Sequence, residues 1–223
     1  MTVRPNAPGV CTKPIQNLIR KVLPDREGIL KELEVFAMEN HVPIIEPEGA
    51  QVLRFLTSYH RPKRVLEVGA AIGYSAFVLS ENMVEGGHID TIERNPRRAA
   101  LARENLKRME KVTVHLHEGD AEEVLETLDG TYDFIFIDAA KGQYRKFFDL
   151  VEPKLRPGGI IVSDNVLFKG FIAQPELVRR RDRTIVRRMN DYLAFLSNHD
   201  RYTTTILPIG DGMALSQCNG GTK

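Results

Sequence analysis

Tryptophan is absent, and only two cysteines, Cys11 and Cys218, occur in 223 residues. Two cysteines near opposite ends make no disulfide framework, so a reducing cytoplasm is the expected compartment. An excess of one charge sign is also missing. Lysine and arginine total 31 and aspartate and glutamate 30, a formal net charge of +1. Overall charge therefore gives no reason to expect nucleic-acid binding, and any basic surface must be local. No run of about 18 apolar residues occurs, which excludes a membrane-spanning helix. Residues 1–10 lack an apolar core of the kind a signal peptide needs. Their two prolines and one glycine predict a frayed terminus over residues 1–11.

What is present fits a globular α/β chain. Hydrophobic residues make up 42% and charged residues 27%, and residues 12–223 suit a single domain with a sizeable core. Residues 12–60 read as a cap of three helices. Ile15, Leu18, Ile19 and Val22 keep helical spacing, as do Ile29, Leu30, Leu33, Phe36 and Ala37, and a third set runs through Val52, Leu53, Phe55 and Leu56. The rhythm changes at Lys63. Short apolar runs at 64–68, 88–92, 112–116, 132–137 and 159–162 alternate with helical stretches such as 74–83 and 96–109. This alternation predicts a doubly wound, mostly parallel sheet within a core spanning 63–217. An amphipathic helix follows Arg183, and 202–207 and 212–216 predict a closing antiparallel hairpin.

The first run leads into Glu67-Val68-Gly69-Ala70-Ala71-Ile72-Gly73-Tyr74-Ser75. Glycines at a strand-to-helix turn let backbone approach a ligand closely. Their Gly-x-x-x-Gly spacing differs from the Gly-x-Gly-x-x-Gly of a pyrophosphate cradle, which argues against a dinucleotide oxidoreductase. Glu67 would repel a pyrophosphate and suits a cationic amine. Glu93 ends the second run, placed to accept hydrogen bonds from both ribose hydroxyls. Asp120 ends the third, where an adenine would lie. The plainer alternative is a tight turn with Glu93 as a solvated strand end.

Asp138 ends the fourth run, and Asp164-Asn165 ends the fifth. Three oxygen donors without imidazole or thiolate suit a hard cation such as Mg²⁺. Lys141 follows Asp138 by three residues, where it can take a proton or hold an oxyanion. Alternatively, Asp138 caps the next helix and Asp164-Asn165 forms a turn. Between Phe168 and Arg188, Lys169, Arg179, Arg180, Arg181, Arg183, Arg187 and Arg188 outnumber two acids. Clustered arginine suits phosphate, although a solvated helix start or a dimer contact would use the same residues.

Together, Glu67-x-Gly69-x-x-x-Gly73-Tyr74-Ser75, Ile92-Glu93, Phe136-Ile137-Asp138-x-x-Lys141 and Asp164-Asn165-Val166 resemble the metal-dependent O-methyltransferases, the group of the catechol and caffeoyl-CoA enzymes. The likeness covers roughly residues 40–217. It implies a Rossmann-like class I methyltransferase fold, with S-adenosylmethionine and Mg²⁺ or another divalent cation as cofactors. It implies metal ligands Asp138, Asp164 and Asn165, with Lys141 as catalytic base. The implied cofactor contacts are Glu93, Ser75 and Asp120-Ala121, with a backbone group near Ile45, beside Glu67, Gly69, Gly73 and Asp138. Where the animal catechol enzyme has His-Trp before its lysine, this chain has Ala139-Ala140, which implies a wider pocket mouth.

Longer strings, 41–44, 137–144, 164–170 and 208–212, resemble the bacterial tRNA 5-hydroxyuridine methyltransferases. That likeness implies 5-methoxyuridine formation at the anticodon wobble position, and the anticodon stem-loop as partner. Lys169, Arg179, Arg180, Arg181 and Arg183 are then the candidate RNA contacts, and a homodimer without membrane attachment is the expected state. In 5-hydroxyuridine the hydroxyl neighbours the O4 carbonyl, so the two oxygens can chelate one metal as a catechol does. A small-molecule catechol or phenylpropanoid methyltransferase is the alternative.

Overall fold

The computed structural model describes residues 10–139 and 142–220. The frayed segment expected over residues 1–11 falls mostly outside the described residues, and so does Lys141. The three expected N-terminal helices are α1 (Lys13–Val22), α2 (Gly28–Glu39) and α3 (Pro47–His60). Strands and helices then alternate: β1 (Arg64–Val68), α4 (Tyr74–Ser80), β2 (His88–Glu93), α5 (Pro96–Leu106), β3 (Thr113–Glu118), α6 (Ala121–Thr127), β4 (Tyr132–Ile137), α7 (Tyr144–Val151) and β5 (Leu155–Ser163). Helix α8 (Arg183–Ser197) and strands β6 (Tyr202–Leu207) and β7 (Met213–Cys218) close the chain. This is the α/β alternation the sequence predicts, with mostly parallel strands and antiparallel pairing confined to the C-terminal end.

The described chain forms two compact units. One runs from Asn17 to Leu128, and the other takes in Asp129 onward together with the residues up to Gln16. In the first, strands lie in the order β3-β2-β1, all parallel. Val65, Leu66, Val68, Ile89 and Ile92 are buried in these strands, and Leu30, Leu33 and Leu53 in α2 and α3. A leucine buried this fully contributes about 1.5–3 kcal/mol relative to an exposed one. Helices α2 and α3 pack on α4, and the Tyr74 hydroxyl donates to Glu34 Oε1 at 2.6 Å, tying α4 to α2.

In the second unit the order is β4-β5-β7-β6. Strand β4 pairs parallel with β5, and β7 runs antiparallel to both β5 and β6. Phe134, Phe136, Phe148, Tyr144 and Tyr192 are among its largest fully buried side chains. Strand β5 starts four residues earlier than its apolar run suggests. The register with β4 shifts between Tyr132 and Phe134, where Leu155 and Ile160 are successive partners. Arg156, Pro157, Gly158 and Gly159 fit inside this irregularity, which accommodates residues that would break a regular strand.

Candidate functional site

In the first unit the sharp passage from β1 into α4 depends on backbone that side chains resist. Gly69 and Gly73 have φ of 109° and 88°. A Cβ at Gly73 would also lie 3.1 Å from Leu106 Cδ2. The N–H groups of Gly69 and Ala70 both donate to the Ile92 carbonyl at 2.9 Å, fixing the turn to the end of β2.

Glu93 completes this arrangement. Its carboxylate accepts from Ala71 N at 2.8 Å and from Asn95 N at 2.7 Å. It is 8% exposed, so it is a built part of the turn rather than a solvated strand end. A carboxylate has about four acceptor sites, and these two bonds leave capacity for ligand hydroxyls. Gly119 N donates to the Glu93 carbonyl at 3.2 Å, which draws the end of β3 to the same place. The next residue, Asp120, caps α6 by accepting from Glu122 N at 3.0 Å, with Arg94 Nη1 3.8 Å from its other oxygen. Ala121 opens α6, and Ser75 lies buried in the first turn of α4. Glu67 is fully buried inside β1 and accepts from the hydroxyl of Thr91, its register partner on β2. Ile45 is buried just ahead of α3.

The second unit gathers the predicted oxygen donors. The Asn165 side-chain amide donates to Asp138 Oδ1 at 2.9 Å, and Asn165 N donates to Asp164 Oδ1 at 2.8 Å. Asn165 has φ 60°, a left-handed conformation that asparagine tolerates better than most side chains. Beneath them, the fully buried Tyr144 donates its hydroxyl to the Asp164 carbonyl at 2.6 Å. Burial, and then the Asp138 and Asp164 carboxylates, hold that phenol well above the usual tyrosine range. Helix α7 begins at Tyr144 with Gln143 as its cap, so Asp138 does not serve as a helix cap. The Asp138 and Asp164 carboxylates, joined through Asn165 by its two hydrogen bonds, offer oxygen donors of the kind a hard divalent cation takes. Sequence reasoning does not single out Tyr144. Its signal is an aromatic residue shortly after a metal-type aspartate, which reads equally well as core.

The basic segment follows directly. Lys169 has φ 58°, and its N–H donates to the Asp211 carboxylate. Val166 N and Leu167 N donate to the carbonyls of Gly212 and Asp211 at 2.9 Å, so the β6–β7 turn clasps the chain just past Asn165. Phe168, Phe171, Val178 and Val186 form a buried cluster beneath the segment. Arg179, Arg180, Arg181 and Arg183 are exposed. Arg181 lies 3.9 Å from Asp182. Arg188 on α8 donates to the Gly142 carbonyl at 3.5 Å, linking the basic helix start to the loop that follows Asp138.

Known proteins share this fold. Residues 22–218 match the O-methyltransferase family model. The catechol O-methyltransferase of Niastella koreensis is 31% identical over 182 residues, covering 77% of this chain and 80% of that protein. The caffeoyl-CoA O-methyltransferase of Stellaria longipes is 30% identical over 207 residues, 86% of this chain and 84% of that one. A solved structure from Staphylococcus aureus, assigned as a caffeoyl-CoA O-methyltransferase, is 34% identical with a TM-score of 0.78, covering 93% and 98% of the two chains.

Proposed function

The chain belongs to the O-methyltransferase family, and from that premise we propose that it methylates a hydroxyl lying next to a second oxygen, with S-adenosylmethionine as methyl donor. We further propose 5-hydroxyuridine at the tRNA wobble position as the substrate, turned over by a single-domain, cytoplasmic homodimer. The observation that carries the RNA reading is the exposed set Arg179, Arg180, Arg181 and Arg183, which leads into the helix whose Arg188 reaches the Gly142 carbonyl. Both cysteines are unpaired, which fits a reducing compartment. Leu18, Val22, Phe55 and Tyr59 are large and exposed, which supports self-association.

Each group has a separate task in this reading. The glycine turn brings backbone against the cofactor, Glu93 accepts from its ribose hydroxyls, and Asp120 and Ala121 border its adenine. Asp138, Asp164 and Asn165 would hold the divalent cation, which supplies acidification and orientation of the hydroxyl. Lys141 takes the hydroxyl proton. The oxyanion attacks the methyl carbon as the carbon–sulfur bond breaks, and S-adenosylhomocysteine leaves with both electrons of that bond. The protein contributes mainly alignment and charge stabilisation.

A small catechol or phenylpropanoid is the second reading, favoured by the activities for which the relatives are named. Labelled S-adenosylmethionine offered with tRNA lacking the modification, and separately with catechol and caffeoyl-CoA, decides between them. Methylated tRNA with little label in catechol is expected. Efficient labelling of the small molecules with none in tRNA would overturn the RNA reading and leave the O-methyltransferase reading intact.

A further inference from the structure

Strands β2 and β3 carry a second group of ligand-type side chains, away from the glycine turn. Alternate residues of a strand share a face, so His88 and Asp90 point the same way on β2, as do His115 and His117 on β3. The parallel register places Asp90 opposite His115 and Ile92 opposite His117. The four side chains therefore meet on one face, with Asp90 three residues, or about 10 Å, before Glu93.

Their geometry exceeds what a buried aspartate needs. Asp90 is 3% exposed. Its Oδ2 lies 3.0 Å from His88 Nε2 and 3.5 Å from Arg64 Nη2, and its Oδ1 lies 2.8 Å from His117 Nε2. Those neighbours already satisfy the carboxylate. His115 is additional. Its ring stands at 90° to that of His88 with centroids 4.7 Å apart. One ligand atom each from His88, Asp90 and His115 lies within 4.8 Å of the other two.

We propose that His88, Asp90 and His115 form a binding site for a borderline transition cation, zinc foremost, separate from the Asp138–Asp164–Asn165 donors. Two imidazoles and a carboxylate match the three-ligand zinc pattern, with water completing a tetrahedron. Imidazole selects such ions over Mg²⁺, which favours oxygen donors. Zinc bonds of about 2.0–2.2 Å place tetrahedral ligand atoms roughly 3.4 Å apart. His115 is exposed, so its side chain can swing inward by the ångström or so required. Arg64, whose side chain is one-third exposed, can withdraw its charge into solvent as the ion takes its place on Asp90. His117 stays on the other carboxylate oxygen and orients the ligand, as outer partners of metal-bound groups do. The ion would fasten β3, the outermost strand of its unit, to β2.

The test uses the full chain carrying Asp138→Ala and Asp164→Ala, so that zinc cannot bind at the oxygen donors. Calorimetric titration with Zn²⁺ alone should give one site per chain at micromolar affinity or tighter. Co²⁺ should show the visible absorption of a four- or five-coordinate site. His117→Ala should weaken zinc binding 10–100-fold, and His115→Ala should weaken it further. Circular dichroism establishes that both variants are folded. Absence of saturable zinc binding, or a His115→Ala loss no larger than that of His117→Ala, overturns the proposal. Zinc at a hundred times its dissociation constant should also raise the melting temperature by roughly 5–10 °C, and His115→Ala should abolish that rise.

Discussion

Replacing Glu93 with alanine separates two tasks that the structure gives one carboxylate. Toward the protein it accepts from Ala71 N and Asn95 N. Asn95 in turn caps α5 by accepting from Arg97 N and Arg98 N. Losing both bonds leaves two backbone donors without their charged acceptor. An unsatisfied buried donor costs about 1–3 kcal/mol. Solvent can reach the cavity left behind, so the lower end of that range applies, and a fall of roughly 2–4 °C in melting temperature follows per kcal/mol. Toward the ligand, loss of charge-assisted bonds to the ribose hydroxyls should cost about 1.5–3 kcal/mol in total. That corresponds to a dissociation constant roughly 10- to 150-fold higher. Calorimetry with S-adenosylhomocysteine at a temperature where the variant is fully folded reads the second effect alone. Glu93→Gln sharpens the comparison, because it keeps one carbonyl acceptor for the turn while removing the charge. Unchanged S-adenosylhomocysteine affinity in both folded variants would refute the placement of the ribose against Glu93.

Other outcomes follow from the second unit. Asp138→Ala and Asp164→Ala should each abolish methyl transfer while the circular dichroism spectrum persists. EDTA should do the same to the parent and Mg²⁺ should restore it, so full activity in EDTA would remove the metal role. Lys141→Ala should lower kcat far more than cofactor affinity. Lys141→Arg should rescue incompletely because guanidinium does not act as a base at neutral pH, and a pH–rate profile of the Arg variant equal to the parent's would argue against a base at this position. Replacing Arg179, Arg180 and Arg181 together with alanine should raise KM for tRNA. It should also flatten the salt dependence of binding by up to about 0.7–0.9 in log–log slope for each phosphate no longer neutralised. An unchanged slope would assign these arginines to another surface.

The features legible in sequence are those set by local periodicity. Three helices before Lys63, β1, β4 and β6 stand where the apolar pattern puts them. Boundaries move where tertiary pairing overrides local signals. Pro157-Gly158-Gly159 reads as a break, yet β5 runs through it because the shift against β4 absorbs the extra residues. The apolar run stops at Ile92, and the expectation that Glu93 ends the second strand holds, since Glu93 pairs with Glu118. Within each unit the strand-end acids are legible because parallel strands put their carboxyl ends on the same edge. Their second tasks are not legible, such as the two backbone N–H groups on Glu93 or the Asn165 amide on Asp138. The Ala71–Glu93 and Asn165–Asp138 bonds join residues 22 and 27 positions apart, beyond any local pattern. The His88–Asp90–His115–His117 group is hidden for the same reason, since its two halves align only once the β2–β3 register is known.

The clasp between the β6–β7 turn and the chain just past Asn165 changes how loop 208–212 responds to alteration. Surface turns ordinarily accept insertions and substitutions freely. Here Asp211 and Gly212 hold Val166, Leu167 and Lys169, and a Cβ at Gly212 would collide with the Leu167 side chain at 2.2 Å. Shortening or lengthening this turn would reposition donors more than forty residues earlier in the chain, and with them the arginines that follow. Re-engineering the proposed RNA contacts would therefore require varying residues 166–169 and 208–212 as one cassette. A screen that randomised only one half would select mainly for repair of the clasp.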